Sequence, residues 1–232
     1  AKLGVLMAML IFPGAILMQK MITAFTFALL GTFIFMSIHR RIKLKNTIFI
    51  PLVGIMVGNV IGSITDFFAY RHNLVQSMGA FLQGDFSMII KGNYEMLYLT
   101  IPLLIVALLY ANKFTIIGMG EDISANLGLN YQRVSNIGVI LVALISAIVV
   151  ITVGNIPFIG LIVPNIVSIF KGDNLSKNIW DTALFGAIFV LACDMIGRIV
   201  IFPYEVPISL TVGVIGSVIF LYLIIRRNKN EG

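Results

Sequence analysis

Residues 120–133, GEDISANLGLNYQR, form a polar segment between two long apolar runs. The run before it reads YLTIPLLIVALLYAN (98–112), and the run after it reads VSNIGVILVALISAIVVITVG (134–154). Such runs approach the roughly 20 apolar residues that an α-helix needs to cross a bilayer. We therefore interpret residues 120–133 as part of a loop at a membrane surface.

The composition of the whole chain agrees with this interpretation. Of the 232 residues, 59% are hydrophobic and 11% are charged. A soluble domain usually carries about 25% charged residues, so this chain has too few to cover a water-facing surface. The apolar runs are continuous and do not alternate with polar residues, which favours helices over a β-barrel. The predicted fold class is all-α, a polytopic membrane helical bundle.

Apolar runs predict eight membrane-spanning segments, at residues 3–18, 21–38, 47–67, 95–112, 134–153, 156–170, 179–202 and 208–225. If these segments alternate in direction, one side of the membrane holds most of the basic residues: Lys2, Arg40, Arg41, Lys43, Lys45, Lys113, Arg133, Lys171, Lys177, Arg226, Arg227 and Lys229. The opposite loops hold Lys20, Arg71 and Lys91, and Arg198 lies within a span. Basic residues are enriched in cytoplasmic loops, so the first side, the 120–133 segment and the C-terminus are predicted to be cytoplasmic.

The longest predicted outer loop covers residues 68–94, where a short surface helix is expected around Leu74–Leu82. The single cysteine, Cys193, cannot form a disulfide within these residues, and it is interpreted as a small buried hydrophobe. Lone histidines such as His39 and His72 are a poor sign of a metal site. No catalytic, metal or cofactor site is predicted.

The polar segment has the pattern of two short helices joined at a glycine. Ile123 and Leu127 are four residues apart and share one helical face. Gly128 is a natural helix stop, and Asn130 can cap a second helix that continues into the next span. Such a rigid element suits docking of a partner protein, although an ordinary amphipathic interfacial loop has the same periodicity.

The same residues carry a family resemblance. Gly120, Glu121, Ala125, Leu127 and Gly128 resemble the G-E-x-x-A-x-x-L-G signature of the iron–siderophore and cobalamin ABC importer permeases, the FecCD type. Further matches follow in order: Gly154–Pro164 resembles the G-x-I-x-F-x-G-L-x-x-P segment, and Gly172-Asp173, Gly186-Ala187, Glu205–Ile208 and Val212–Gly216 come after it. Before the signature, Phe81–Phe86 resembles the aromatic-x-x-Gly segment of the family.

The resemblance implies a permease fold of about ten spans, of which eight are visible, with the first two expected before Ala1. The residues 83–87, 156–165 and 203–206 are most similar to permeases for catecholate-type siderophores of low-GC Gram-positive bacteria. Two departures leave the subfamily and the ligand open: Asn165 stands where the family commonly has His, and Asp173-Asn174-Leu175 replaces Asp-His-Arg.

The resemblance also implies roles for particular residues. Residues 118–133 would be the cytoplasmic coupling helices that an ATPase subunit moves, with the contact made by Gly120, Glu121, Ala125, Leu127 and Gly128. Arg198, with Glu205 as a weaker candidate, would meet a carboxylate of the substrate-binding protein. Asp194 and Arg198 are four apart on one helix face, so a purely structural ion pair remains an alternative.

The translocation pathway is assigned to Pro157, Gly160, Pro164 and Asp194. Proline and glycine interrupt the helical hydrogen bonds, and a membrane tolerates such backbone only beside protein or a water-filled cavity. Gly213 and Gly216 in the last span are interpreted as positions of close helix packing.

The resulting hypothesis is a permease subunit of an ABC importer that moves a ferric siderophore inward. Its expected partners are two ATPase copies, a second permease subunit, a substrate-binding lipoprotein and membrane lipids, with no nucleic acid. The sequence has no G-x-x-x-x-G-K-[ST] motif, so it is expected not to be an enzyme. The alternative is an ion-coupled secondary transporter, which would need acidic residues in mid-span, where Asp194 is the only clear one. Haem and cobalamin remain open as ligands.

Overall fold

The computed structural model describes residues 2–12, 14, 17–41, 49–87, 89, 91–92, 94–172 and 174–230. Within these residues the chain is helical almost throughout, and an isolated β-bridge joins Gln83 to Asn155. The all-α prediction is confirmed. The predicted loop residues Lys43, Lys45 and Asp173 lie outside the described residues.

The described α-helices, in chain order, are α1 (Lys2–Ile11), α2 (Leu17–Arg41), α3 (Phe49–Arg71), α4 (Val75–Leu82), α5 (Thr100–Ile117), α6 (Glu121–Asn126), α7 (Tyr131–Val153), α8 (Ile159–Lys171), α9 (Leu175–Val200) and α10 (Ile208–Asn230). A 3₁₀ turn, Glu95–Leu99, leads directly into α5. The short helix expected around Leu74–Leu82 is present as α4.

Among the described residues, five helical stretches are long and apolar enough to cross a membrane. They fall in α2, α3, α5 with its preceding turn, α7 and α9. Three shorter apolar helices lie at Lys2–Ile11, Ile159–Lys171 and Ile208–Leu223. Together these eight stretches occupy the eight predicted segments, with α1 and α8 shorter than a full span.

One compact unit comprises residues 1–82, 90–103 and 135–154. In this unit α1 packs against α2, α3 and α4, and its core includes the buried side chains of Leu6, Met21 and Ile148. A Cβ on Gly4 would clash with the carbonyl oxygen of Ala24. Helices α1 and α2 therefore approach each other more closely than any larger residue would permit.

The position of Lys2 differs from the prediction. Its Nζ lies 2.6 Å from Asp66 Oδ1, and Asp66 is only five residues before the end of α3 at Arg71. Because α3 begins at Phe49, next to the basic loop, Asp66 lies about 25 Å along the helix from that loop. The expectation that Lys2 shares a side with the basic loops is therefore wrong. The salt bridge to Asp66 places Lys2 at the end of α3 that lies opposite to Phe49.

The other compact unit comprises residues 83–89, 104–134 and 155–232. Helices α8, α9 and α10 pack on one another here, around the buried side chains of Cys193, Ile208 and Val212. The prediction of a buried Cys193 is confirmed. A Cβ on Gly216 would lie 2.6 Å from Ile162 Cδ1, so this glycine does permit close packing between α8 and α10.

Candidate functional site

The 118–133 segment begins with a turn stabilised by glycine. Helix α5 ends at Ile117, and Gly120 then takes a φ of +113° immediately before α6. Side chains rarely adopt that backbone conformation, which glycine reaches without strain. Glu121 and Asp122 occupy the first turn of α6, where negative charge is favourable beside the free N–H groups of a helix start.

The end of α6 is closed by two backbone hydrogen bonds around Gly128. The Gly128 N–H donates to the Ala125 carbonyl (2.9 Å), and the Leu129 N–H donates to the Ser124 carbonyl (2.9 Å). This pair of bonds is the Schellman arrangement, which needs a left-handed residue at the glycine position. Gly128 meets that need with a φ of +75°, which confirms the prediction that it stops the helix.

The second predicted helix of the segment is also present. The Arg133 N–H donates to Asn130 Oδ1 at 2.9 Å, so Asn130 caps α7 as expected. Gly128 thus connects two helices. Backbone hydrogen bonds close the end of α6 before it, and the Asn130 cap holds the start of α7 after it. The segment therefore has a defined shape.

Ser124 anchors this segment and was not singled out from the sequence. Its side chain is fully buried, and its hydroxyl donates to the Gly120 carbonyl at 2.6 Å, with the Ile116 carbonyl 3.3 Å away. Counted from Gly120, the alanine of the G-E-x-x-A-x-x-L-G signature falls on Ser124, whereas Ala125 is exposed. The assignment of Ala125 to that signature position is therefore corrected to Ser124. The spacing of the signature was the signal that could have identified it.

The outward face of the segment is apolar. Ile123 is 46% exposed and Leu127 is 61% exposed, and Met119, which precedes Gly120, is exposed as well. Large apolar side chains grouped on a polar loop are typical of a surface that another protein covers. The acidic pair Glu121 and Asp122 borders this face and adds negative charge to it.

A second candidate site lies where α9 ends. Arg198 Nε donates to Asp194 Oδ2 at 2.9 Å, and Arg198 Nη1 donates to Glu205 Oε1 at 3.3 Å. We call these three residues the Arg198 cluster. The Arg198 side chain remains 43% exposed, so part of the guanidinium is accessible despite its two carboxylate neighbours. The cluster brings Asp194, assigned to the pathway from the sequence, together with the two docking candidates.

The Arg198 cluster depends on how the chain turns back after α9. The Val206 N–H donates to the Gly197 carbonyl at 3.2 Å, which holds the returning segment against the helix and brings Glu205 toward Arg198. A Cβ on Gly197 would lie 2.8 Å from the Val206 carbonyl oxygen. Gly197 is therefore required by close approach, and it too was not singled out from the sequence.

Three of the four predicted pathway residues, all except Asp194, lie in α8 or just before it. Gly154 and Phe158 both have positive φ, +87° and +64°, so the chain between α7 and α8 is not helical. Pro157 belongs to this break, and its ring lies 3.6 Å from where a Cβ on Gly213 would be. Gly160 and Pro164 are exposed within α8, so two of the three positions are accessible in this compact unit.

The residue after Pro164 bonds to its own helix through its side chain. Proline has no N–H to donate to the carbonyl four residues earlier. The neighbouring Asn165 Nδ2 donates to the Leu161 carbonyl at 2.6 Å. The family's more common histidine is thus replaced by an amide that bonds its own helix.

A junction near Gly84 connects three segments that the sequence did not indicate as neighbours. The Ser209 N–H, at the start of α10, donates to the Gly84 carbonyl at 3.1 Å. A Cβ on Gly84 would lie 2.7 Å from the Asn155 carbonyl oxygen, next to the bridge between Gln83 and Asn155. The loop after α4, the break before α8 and the start of α10 therefore meet at a glycine.

Within the described residues, no group of three His, Cys, Asp or Glu could hold a metal ion.

Comparison with known proteins gives a consistent result. Residues 1–226 match the FecCD transport family. The petrobactin import system permease protein YclN of Bacillus subtilis is 57% identical over 227 residues, which cover 98% of this chain and 72% of that protein. The ferric-anguibactin transport system permease protein FatD of Vibrio anguillarum is 39% identical over 229 residues, covering 99% of this chain and 73% of that protein.

A solved structure shares the fold. It is described as an inward-facing conformation of an ABC transporter assigned to the metal-chelate type. The similarity has a TM-score of 0.84 at 20% identity and covers 97% of this chain and 72% of the other. At that identity the similarity bears on the fold alone.

Proposed function

Because the chain belongs to the FecCD transport family, we propose that it is the permease subunit through which an ABC importer moves a ferric siderophore into the cytoplasm. The single observation that carries this proposal is the 57% identity to a petrobactin import permease, which extends over 98% of the chain. The chain is a multi-pass protein of the cell membrane, with several apolar helices of spanning length.

The proposed cargo is a ferric siderophore of the petrobactin kind. The two relatives described above import different siderophores by name, petrobactin and anguibactin. The relative with the higher identity, 57% against 39%, is the better guide to the ligand. The wider class, ferric siderophores, is supported by both relatives.

The driving force is proposed to come from two copies of a separate ATPase, acting on this permease and a second permease subunit. The 118–133 segment is the proposed contact, and Gly120, Glu121, Leu127 and Gly128 keep the role expected from the sequence. Ser124 is added because it ties α6 to the end of α5. The supporting geometry is a glycine-bounded helix with exposed Ile123 and Leu127.

The Arg198 cluster is the proposed contact for a substrate-binding lipoprotein. Arg198 presents a partly accessible positive charge, and a partner carboxylate could pair with it by displacing Glu205. The exchange costs little, because ion pairs between exposed groups contribute only about 0–1 kcal/mol. The cluster would then be external and the C-terminus cytoplasmic, in agreement with the distribution of Lys and Arg.

Ion-coupled secondary transport is the weaker alternative. It would use an unpaired acid in mid-span that takes up and releases a cation or proton. Asp194, the clearest acid for that purpose, is bonded to Arg198. Nothing in the described part of the chain favours this alternative over an ATP-driven importer.

The proposal is tested by iron uptake in cells that lack this permease. We expect uptake of ⁵⁵Fe-labelled petrobactin to fall to background and to be restored by the complete gene, with uptake of a ferric hydroxamate unchanged as the control. A catalytically inactive ATPase partner should abolish the restored uptake. Uptake that persists without the ATPase, and that is lost when an ionophore is added at constant ATP, would instead establish the ion-coupled alternative.

A further inference from the structure

An apolar groove of about 290 Å³ lies between α8 and α9. Side chains at successive turns of α9 form one wall, and side chains from the last turns of α8 form the other. The groove is lined by Ile166, Phe170, Lys171, Asp181, Leu184 and Ile188, among others. Asp181, Leu184 and Ile188 follow helical spacing, so this wall of the groove runs along α9.

Charged groups lie at one end of this groove. Lys171 is the last residue of α8, and its Nζ is 2.7 Å from Asp181 Oδ2. Both side chains are about half exposed, so the pair is weak and its lysine can exchange to another anion. Lys177 lies one turn before Asp181 on the same face of α9, and no described carboxylate lies within ion-pair distance of it.

Two aromatic side chains frame the same end. Trp180 is 71% exposed and Phe170 is 80% exposed, and Trp180 lies one turn before the groove residue Leu184. Tryptophan concentrates at the level of lipid headgroups, where its ring contacts both apolar and polar surroundings. The end of the groove that holds Lys171 and Lys177 therefore has the features of a membrane–water boundary.

We propose that this groove binds an anionic phospholipid. One acyl chain lies along Ile166, Leu184 and Ile188, and the phosphate lies between Lys171 and Lys177. The argument for this occupant is charge complementarity. The groove lining contains the ion pair of Lys171 and Asp181, and Lys177, one helical turn before Asp181 on α9, adds a further positive charge at this end. Basic pockets between transmembrane helices are suited to anionic headgroups.

Trp180 can serve as a fluorescence probe of lipid near the groove, because it is the single tryptophan of these 232 residues. The complete permease would be reconstituted in vesicles in which either phosphatidylglycerol or phosphatidylcholine has dibrominated acyl chains, which quench nearby tryptophan. The Trp180 signal is the difference between the unmodified protein and Trp180→Phe. We expect half-maximal quenching at about a fivefold lower fraction of brominated phosphatidylglycerol than of brominated phosphatidylcholine.

Substitutions separate the headgroup site from general lipid contact. The Lys171→Gln/Lys177→Gln double variant should lose the preference, so that both brominated lipids quench equally, and Lys171→Arg/Lys177→Arg should retain it. Lys113→Gln removes a basic residue at the end of another helix and should leave the preference unchanged. Equal quenching in the unmodified protein, or a preference that survives the double glutamine variant, would overturn the proposal. Absence of quenching by either lipid would show that protein covers the groove, and would overturn it as well.

Discussion

The 118–133 segment and the Arg198 cluster present different kinds of surface. The first is held by backbone hydrogen bonds and two glycines with positive φ, and its exposed face is mainly apolar. The second is held by ion pairs between partly exposed side chains. A partner of the first would recognise a rigid shape, and a partner of the second would recognise charge. The comparison indicates which substitutions each proposed contact should tolerate.

The largest effect is expected when the shape of the 118–133 segment is altered at Gly128. A Cβ there would meet nothing within 4 Å, so substitution costs backbone strain and causes no clash. Gly128→Val forces a β-branched residue into a φ of +75°, with strain of about 1–3 kcal/mol. We expect siderophore uptake to fall on the order of tenfold or more, with loss of ligand-stimulated ATP hydrolysis. Both are measured in vesicles containing the assembled transporter.

Gly128→Asn is the matched control, because asparagine tolerates the left-handed conformation better than other side chains. It should retain most of the uptake at the same level of protein in the membrane. If Gly128→Val transports normally and its ATPase activity is still stimulated, the segment does not couple the two subunits by its shape.

A smaller effect is expected from reversing the charge in the Arg198 cluster. Arg198→Glu places a third carboxylate beside Asp194 and Glu205, which repels an acidic partner surface. We expect the Kd for the substrate-binding lipoprotein to rise about tenfold at low salt. In the unmodified permease, added salt should also weaken binding, because exposed charges are screened. Binding is measured with the permease in nanodiscs and the lipoprotein in solution.

Arg71→Glu provides the control for net charge, since Arg71 lies in the last turn of α3 and is not part of the cluster. It should leave the lipoprotein Kd within about twofold, the usual range for a remote surface charge. An unchanged Kd in Arg198→Glu would leave the Arg198–Asp194 pair with a structural role only.

Much of the fold could be predicted from the sequence because its determinants are local. The apolar runs predict the long helices. Gly128 predicts the end of α6 and Asn130 predicts the start of α7, because each acts on backbone groups within five residues of itself. The short helix α4 was likewise visible in a continuous stretch of sequence. The salt bridge between Asp194 and Arg198 is also predictable, because a spacing of four residues places both side chains on one helical face.

What could not be predicted depends on residues brought together by packing. Lys2 forms an ion pair with Asp66, which is 64 positions away in the sequence. A hydropathy profile along the chain does not predict such distant contacts. Gly84 is required by the close approach of Asn155, a residue far from it in sequence. Glycines are common in an apolar chain. The reason that a particular position requires glycine becomes visible only when the atoms facing it are known.

Gly197 sharpens the comparison, because it makes the charge-based site depend on shape as well. Gly197→Ala would place a Cβ 2.8 Å from the Val206 carbonyl oxygen and 3.1 Å from Thr211 Cγ2. The returning segment must then shift, and overpacking of this kind costs about 1–3 kcal/mol. Since the shift moves Glu205 and leaves the charge of Arg198 in place, we expect only a two- to threefold change in lipoprotein Kd, together with a lower Tm.

The control is Gly186→Ala in the same helix. Its Cβ would meet Val163 at an ordinary 3.5 Å, so neither Kd nor Tm should change. A Gly197→Ala permease with unaltered Tm and Kd would mean that the cluster is fixed by its charges alone, and the distinction between the two surfaces would then be complete.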